Sequence, residues 1–235
     1  MQTEPALIFD VDGTLAETER DGHLPAFNAA FAEFGLPWVW DARLYGELLA
    51  VTGGKERIRH FAGRYDPRRA AAADFGELVQ QLHRAKTAHY VRSVAAGAIP
   101  LRPGVAELIG AARAAGWRLA IATTTAPENV DALLRASLAP DAAGWFEVIG
   151  AGDVVPAKKP APDIYDWVRE RLGLPAAACL AIEDSANGLD AARTAGLRCL
   201  VCRGEYSRDQ DFSAAWRVVD SLEGIAPKDL FPPAP

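Results

Sequence analysis

The sequence predicts an α/β protein whose core is a doubly wound, Rossmann-like parallel sheet, with an inserted α-helical domain after the first strand. Three observations support this fold class. Short apolar runs such as Ala6-Leu7-Ile8-Phe9 are typical of strands buried on both faces. After residue 102 such runs alternate with helical patterns, which indicates right-handed βαβ units. Between the first two strand-like runs, roughly a hundred residues have only the apolar spacing of helices.

Local signals predict each element in turn. In the insert, apolar residues three and four apart predict helices over 18–34, 42–50 and 74–94, with a turn at Gly35-Leu36-Pro37. In the core, apolar runs predict strands over 6–9, 117–122, 146–150, 179–182 and 198–202. The core helices are predicted over 105–114, from Pro127, from Pro162 and over 186–195. We therefore assign residues 1–16 and 98–235 to the core domain and residues 17–97 to a cap domain.

The composition excludes several classes of protein. Half of the 235 residues are apolar and 24% are charged, which argues against disorder. The net charge of -6 disfavours nucleic acid and anionic lipid as partners. No apolar run reaches the ~18 residues of a membrane span, and the first residues lack a signal-peptide pattern. The three cysteines lie in apolar stretches, as reduced, buried thiols do. We expect a cytoplasmic monomer with no membrane or nucleic-acid partner.

Two carboxylates follow the first predicted strand, in the segment Asp10-Val11-Asp12-Gly13-Thr14. Alternation along an extended chain places Asp10 and Asp12 near one pocket, and Gly13 permits a tight turn. Two acids so close can divide the work of nucleophile and proton donor. The alternative is an acidic loop that caps the next helix, but the position directly after a buried strand favours the catalytic interpretation.

Polar groups also follow the next two core strands. Thr125 and Glu128 fit a capping box, whereas Thr123 lies too early for that role, so its hydroxyl is free to donate to a phosphate oxygen. The pair Lys158-Lys159 stands before Pro160, where an extended chain can aim one lysine at the site. A lysine pair by itself is more often a solvated surface feature.

Glu183-Asp184-Ser185 brings two more acids to the end of a buried strand. Like charges repel and desolvation is costly, so bound Mg²⁺, which prefers oxygen ligands, would explain them. An acidic helix start is the alternative. Because ligands of such sheets sit beyond the carboxyl ends of the strands, the acid pairs, the hydroxyl and the lysine together predict a site for phosphoryl transfer.

In this order the motifs resemble those of the haloacid dehalogenase superfamily of aspartate-nucleophile phosphatases, and they cover the whole chain. They are Asp10-Val11-Asp12-Gly13-Thr14-Leu15, Thr123, Lys159 and Glu183-Asp184-Ser185. The helical insert looks like the C1-type cap of the beta-phosphoglucomutase-like branch. Segments 17–23, 52–57 and 83–86 are similar to those of CbbY-type phosphatases, which hydrolyse xylulose 1,5-bisphosphate to xylulose 5-phosphate.

The resemblance implies roles for the motif residues and Mg²⁺ as the cofactor. Asp10 would be the nucleophile and a metal ligand. Asp12 would protonate the leaving oxygen and later activate water, while its main-chain carbonyl joins the metal. Asp184 would be a further metal ligand, with Glu183 as another ligand or its neighbour. The phosphoryl group would be held by the remaining motif residues, Thr123, Thr124 and Lys159.

Cap residues would select the substrate, because by resemblance they face the active site. The candidates are Glu17, His23, Gly53, Gly54, Lys55, Arg57 and Lys86. A second phosphate would need cations such as Lys55 and Lys86, and Glu17 could accept sugar hydroxyls. The charged residues and His23 also have an alternative explanation without a role in binding: the cap cations as solvated helix charges, Glu17 as an acidic helix start and His23 as a packed histidine.

Several activities share this set of residues. A sugar phosphomutase and a phosphoglycolate-type monophosphatase have the same core. A non-enzymatic, receiver-like phosphoacceptor also uses Asp, Thr, Lys and Mg²⁺, but the acid at Asp12 and the helical insert disfavour it. A dehalogenase has no use for that acid. We therefore predict a Mg²⁺-dependent phosphatase for a small sugar phosphate, with xylulose 1,5-bisphosphate as the favoured substrate.

Overall fold

The core is a six-stranded, wholly parallel sheet in the order β3-β2-β1-β4-β5-β6. The computed structural model describes residues 4–97 and 99–231. Its strands are β1 (Ala6–Phe9), β2 (Arg118–Ala122), β3 (Val148–Gly150), β4 (Cys179–Glu183), β5 (Arg198–Cys202) and β6 (Arg217–Val219). Central β1 aligns Phe9 with Ile121 of β2 and with Ile182 of β4. The carboxyl ends of three strands therefore meet at one edge of the sheet.

Helices cover both faces of this sheet. They are α6 (Val105–Ala114), α7 (Pro127–Ser137), α8 (Asp163–Leu172) and α9 (Ala186–Thr194). Successive β1 side chains point to opposite faces: Leu7 and Phe9 belong to the apolar cluster of α6 and α7, and Ala6 and Ile8 to that of α8 and α9. The doubly wound sheet predicted from the sequence is confirmed.

The segment between β1 and α6 is helical and has its own apolar core. Its α-helices are α1 (Leu24–Glu33), α2 (Ala42–Leu48), α3 (Gly54–Tyr65), α4 (Pro67–Ala70) and α5 (Phe75–Ala95). Trp38 and Trp40 are 5% and 1% exposed and pack among phenylalanines of α1 and α3. The inserted helical cap is thus present, although α3, α4 and the edge strand β6 were not predicted, and Glu19–His23 forms a π-helical turn before α1. Across residues 4–97 and 99–231, no helix combines the length and apolar character needed to cross a membrane.

Two chain segments link the cap to the sheet, and they pair with each other. Ala16 and Leu101 form an antiparallel bridge, and the backbone N–H of Arg102 donates to the carbonyl of Leu15 at 2.8 Å. The buried Arg102 guanidinium also donates to the carbonyls of Gly13 and Cys202. These two linking segments, at residues 15–16 and 101–102, form the hinge between cap and core. The hinge is therefore anchored directly beside the loop that follows β1. The proposed domain boundaries at 16/17 and 97/98 lie next to this hinge and remain predictions.

Candidate active site

Asp10 follows β1 and lies 7% exposed at the centre of the sheet edge. Its backbone N–H donates to the carbonyl of Ile182 at 2.9 Å, which keeps the loop in line with β4. Gly13 turns the loop with φ of 82°, and a Cβ there would lie 2.2 Å from Oδ2 of Asp184. Only glycine allows this loop to pack against Asp184, the acid that follows β4.

Lys159 is the cation of the sheet edge, and it is 5% exposed. Its ammonium donates to Asp10 Oδ1 at 2.6 Å, the Ala122 carbonyl at 2.8 Å and Glu183 Oε1 at 2.5 Å. These three acceptors use all three protons of the ammonium group. Although burial opposes it, the charges of Asp10 and Glu183 raise the pKa of Lys159 well above its usual value. Lys159 is thus a fixed positive charge beside Asp10.

Glu183 is fully buried and serves first as the anchor of this lysine. Its Oε1 also accepts a hydrogen bond from the Tyr165 hydroxyl at 2.6 Å. A Cβ at Gly188 would lie 2.0 Å from the Glu183 carboxylate, so α9 packs closely on it. The carboxylate is therefore held from three sides, by Lys159, Tyr165 and α9.

Asp10, Glu183 and Asp184 each offer a carboxylate oxygen, and these oxygens lie within 4.8 Å of one another. Burial raises the pKa of Asp10 to about 8, although Lys159 opposes the shift. Burial, then the charges of Asp10 and Glu183, raise the pKa of Asp184 well above its usual range. Both shifts mean that the cluster lacks positive charge. A hard divalent cation with oxygen ligands fits this deficit.

Asp12, the second acid of the loop after β1, has a different environment from Asp10. Its Oδ1 accepts hydrogen bonds from the Thr18 hydroxyl at 2.5 Å and from His23 Nε2 at 2.8 Å. Lys86 Nζ lies 2.8 Å from Nδ1 of His23. Because an ammonium group can only donate, Nδ1 accepts and Nε2 carries the proton. Burial alone would raise the pKa of Asp12, but His23 and the hydrogen bond from Thr18 hold it well below its usual value.

Thr123 and Thr124, which follow β2, border the cavity that also contains Asp10 and Asp12, but one local interpretation was wrong. The hydroxyl oxygen of Thr123 accepts the backbone N–H of Thr125 at 3.3 Å, so its proton stays free to donate to a ligand. Thr125 does not cap α7: Ala126 is the N-cap residue, and the Thr125 hydroxyl accepts from the Asn129 side chain at 2.9 Å. Pro127 opens the helix without a side-chain cap.

These groups line a cavity of about 260 Å³, which we call the catalytic cavity. Of the predicted residues it brings together Asp10, Asp12, Glu17, Arg57, Thr123, Thr124, Lys159 and Asp184. Glu17 forms an ion pair with Arg102 at 3.2 Å. Arg57 is 6% exposed and donates to the Tyr45 hydroxyl at 2.9 Å, and that hydroxyl donates to Glu19. The cap side of the cavity is thus a paired network of charges.

The other predicted cap residues lie outside the catalytic cavity. His23, Gly53, Gly54 and Lys86 line a narrow neck of about 30 Å³, which shares Asp12 and Arg57 with the cavity. Beyond the neck, Gly53, Gly54 and Lys55 line a cleft of about 660 Å³ between α3 and α5 of the cap and the start of α7. Lys55 contacts Asp153 there and does not reach the catalytic cavity.

Sequence reasoning missed Thr18, Tyr165 and Asp153, which contact predicted site residues. Thr18 stands at the start of a helical pattern, where a hydroxyl is expected as a helix cap and so gives no signal of a functional site. Tyr165 is indistinguishable from an ordinary core aromatic of α8. Asp153 is separated from Lys55 by 98 residues, so no local signal links the two.

Comparison with known proteins agrees with this geometry. The sequence model of the haloacid dehalogenase-like hydrolases matches residues 5–196. The chain is 54% identical over 217 residues to the plasmid-encoded protein CbbY of Cupriavidus necator, covering 92% of this chain and 85% of that protein.

Solved structures give the same result. Crystal structures of CbbY from Rhodobacter sphaeroides, one with phosphate and one of a mutant with xylulose-(1,5)bisphosphate, align with a TM-score of 0.85 at 48% identity. Each alignment covers 94% of this chain and 95% of the CbbY chain. The acid pair and lysine at the strand ends, the helical cap and these relatives together identify a phosphoric monoester hydrolase. The chain belongs to the haloacid dehalogenase-like hydrolase family, among its CbbY-like members.

Proposed function

We propose that this protein is a Mg²⁺-dependent phosphatase that hydrolyses xylulose 1,5-bisphosphate to xylulose 5-phosphate through a phosphorylated Asp10. One observation carries the proposal: Asp10 and Asp12 face one cavity with different partners, Lys159 for the first and His23 with Thr18 for the second. The CbbY relative crystallised with xylulose-(1,5)bisphosphate supports the choice of substrate.

Asp10 acts as the nucleophile. Lys159 donates to its Oδ1, which leaves the other oxygen to attack phosphorus. The new bond joins Asp10 to phosphorus while the bond between phosphorus and the sugar oxygen breaks. The Thr123 hydroxyl and the Thr124 backbone hold the phosphoryl oxygens, and the positive charge of Lys159 beside Asp10 helps to offset the charge of these oxygens.

Asp12 moves the proton. To act as the acid, Asp12 must carry a proton when the substrate is bound, and the negative charge of the substrate phosphate favours that form by like-charge repulsion. Asp12 gives this proton to the leaving sugar oxygen, and His23 with Thr18 keeps its carboxylate in place. In the second half of the reaction, which hydrolyses the phosphorylated Asp10, Asp12 takes a proton from water and the water oxygen attacks phosphorus. The bond between Asp10 and phosphorus then breaks, and inorganic phosphate is released.

Asp10, Asp184 and the main-chain carbonyl of Asp12 would hold Mg²⁺, with Glu183 beside them. When bound, the ion supplies the positive charge that keeps Asp10 ionised and offsets the charge of the phosphoryl group. The convergence of the three carboxylates supports this assignment, because burial and mutual repulsion raise the pKa of Asp10 and Asp184 and a bound cation would offset both effects.

The cap binds the rest of the substrate. Arg57 and Glu17 border the catalytic cavity, where sugar hydroxyls would lie, and Lys55 lies in the cleft, where a second phosphate could be held. Lys86 is 4% exposed, contacts His23 and lies over the rings of Phe27 and Tyr90. We therefore assign Lys86 to holding His23 against Asp12.

The test is a turnover screen with Mg²⁺ over xylulose 1,5-bisphosphate, other sugar mono- and bisphosphates, phosphoglycolate and p-nitrophenyl phosphate. Free phosphate and isomerised sugar are both measured. We expect kcat/KM to be highest for xylulose 1,5-bisphosphate, with one equivalent of phosphate released and xylulose 5-phosphate formed. Isomerised sugar phosphate without phosphate release would instead identify a mutase. A higher kcat/KM for phosphoglycolate would identify a monophosphatase.

A further inference from the structure

The cleft beyond the neck has the charge of an anion site. Four cationic side chains and three carboxylates line it: Lys55, Arg84, Arg92 and Lys158, with Glu56, Glu128 and Asp153. It lies between cap and core, so a ligand there contacts both. The neck shares Gly53, Gly54 and His83 with it, and Asp12 and Arg57 with the catalytic cavity. The catalytic cavity and the cleft are therefore adjacent, with only the neck between them.

Two lysines in the cleft share one carboxylate. Lys158 Nζ donates to Asp153 Oδ1 at 2.7 Å and to the Gly152 carbonyl at 2.5 Å, and Lys55 donates to Asp153 Oδ2. The lysine side chains are 13% and 17% exposed, whereas the Asp153 side chain is 60% exposed. The hydrogen bonds from Lys158 and Lys55 lower the pKa of Asp153 to about 2. A single negative charge thus faces two largely shielded cations, so the three groups together stay net positive.

A phosphate group suits this pair better than the carboxylate does. It carries up to two charges and three terminal oxygens, so it can accept from both ammonium groups at once. Asp153 is the exposed member of this ion pair, so its carboxylate can turn to solvent when a phosphate takes its place between the lysines. Lys55 comes from the cap and Lys158 from the core, so one phosphate bound to both would also hold the cap against the core.

The cleft also gives a role to the lysine pair of the third motif. Lys159 points to Asp10, and its neighbour Lys158 points into the cleft. Two adjacent lysines therefore serve two separate anionic sites, which a bisphosphate can fill together. Thr124 borders the cavity, the neck and the cleft, and so lies along the whole path between them.

We propose that Lys158, together with Lys55, binds the second phosphate of a sugar bisphosphate, and that Asp153 is an internal anion which this phosphate displaces. The inference rests on the proposed function, and it adds a core lysine and a competing carboxylate as determinants of specificity. As the structure stands, the neck has about the volume of one water molecule in the liquid. Entry of a sugar chain therefore requires the cap to shift, which release of the Asp153 bridge permits.

The test compares Lys158→Met and Asp153→Asn with wild type and with Lys228→Met, a control at an exposed lysine outside the cavity, the neck and the cleft. For each protein, kcat/KM is measured with xylulose 1,5-bisphosphate and with p-nitrophenyl phosphate. We expect Lys158→Met to lower kcat/KM for the bisphosphate, relative to that for p-nitrophenyl phosphate, about 10-fold or more, because the second phosphate loses a charged hydrogen bond. Asp153→Asn should lower KM for the bisphosphate a few-fold, because the lysines lose their competing anion. Lys228→Met should leave the ratio unchanged.

Binding measured without turnover separates this inference from the proposed function. The Kd of xylulose 1,5-bisphosphate is measured by calorimetry in Asp10→Asn and in Asp10→Asn combined with Lys158→Met or Asp153→Asn. Weaker binding with Lys158→Met and tighter binding with Asp153→Asn support the inference, even if wild type fails to hydrolyse this sugar. An unchanged Kd with Lys158→Met overturns it, even if hydrolysis is confirmed. Weaker binding with Asp153→Asn means that the carboxylate is part of the scaffold, which overturns the displacement step.

Discussion

The catalytic cavity and the cleft are neighbours with opposite charge. Six carboxylates and two cations border the cavity: Asp10, Asp12, Glu17, Glu19, Asp184 and Glu205, with Arg57 and Lys159. The cleft has four cations and three carboxylates. An anionic substrate would be repelled from the cavity unless a further cation were bound there, whereas the cleft carries its own cations. The difference separates two tasks: the cavity provides chemistry with help from a metal, and the cleft provides recognition.

The two regions also differ in rigidity. In the cavity, Lys159 and Glu183 are 5% and 0% exposed and form several short contacts with each other, Asp10 and Tyr165. In the cleft, the one shared carboxylate is more than half exposed. Buried charges that are fully hydrogen-bonded are costly to rearrange, and exposed ion pairs are not. Substitutions in the cavity should therefore affect every substrate, and substitutions in the cleft only some.

The largest effect is expected for Asp10→Asn. The amide retains the shape of the side chain but is a poor nucleophile, so kcat should fall about 10⁴-fold or more for every substrate. Steady-state phosphate release measures this, and circular dichroism checks that the fold is intact. Asp21→Asn, at an exposed acid of the cap, is the matched control. Substantial turnover by Asp10→Asn would contradict a covalent mechanism.

Removal of Mg²⁺ should abolish activity on bisphosphate and monophosphate alike, because the acidic cavity serves both. A second measurement does not depend on catalysis: Mg²⁺ should raise the Tm of wild type, since it binds only the folded carboxylate cluster. Asp184→Asn should lose most of this increase, whereas Asp153→Asn should retain it. Full activity in excess chelator, or equal Mg²⁺ stabilisation of Asp184→Asn, would contradict the metal site.

Asp12→Asn should lower kcat by about 10²–10⁴-fold with little change in KM, because it removes acid and base assistance but leaves the cations in place. Both substrates should be affected, with a smaller loss for p-nitrophenyl phosphate because its leaving group needs less protonation. Comparison of kcat for the two substrates measures this difference. A normal kcat would exclude Asp12 from proton transfer.

Lys55→Ala tests whether a substitution in the cleft affects the bisphosphate more than the monophosphate. It should lower kcat/KM for xylulose 1,5-bisphosphate by one to two decades, which corresponds to about 1.5–3 kcal/mol for a charged contact. The loss for p-nitrophenyl phosphate should be far smaller, since that substrate has no group that reaches the cleft. Equal losses for both substrates would mean that Lys55 supports the fold or the catalytic cavity.

The smallest effect is expected for Tyr165→Phe, which removes one hydrogen bond to Glu183. Loss of this contact should lower the free energy of unfolding by about 1–3 kcal/mol, because a buried carboxylate loses a donor. Turnover should fall a few-fold on both substrates as Lys159 loses its fixed support. Tyr90→Phe is the control for stability, since the Tyr90 hydroxyl has no hydrogen-bond partner within residues 4–97 and 99–231. Equal Tm losses in both variants would contradict the role of Tyr165.

The sequence by itself determined the fold class and the residues at the strand ends. Apolar runs followed by Asp10, Thr123 and Glu183 specify a parallel sheet with polar groups at its carboxyl edge, because parallel strands all end on the same side. Apolar spacing also identified the helical insert, and the two acid pairs indicated a deficit of positive charge at the site. These features depend on neighbours in the chain, which the order of residues states directly.

Only the tertiary structure decided how these residues are partnered. Lys159 and Asp10 are 149 residues apart, and Lys55 and Asp153 are 98 apart, so their contacts depend on strand order and on the position of the cap. The distinct directions of Lys158 and Lys159, the anchoring of Glu183 by Tyr165 and the failure of Thr125 to cap α7 have the same origin. Side chains satisfy their hydrogen bonds with whatever the packed layers bring near, and packing is a property of the whole chain rather than of any one segment.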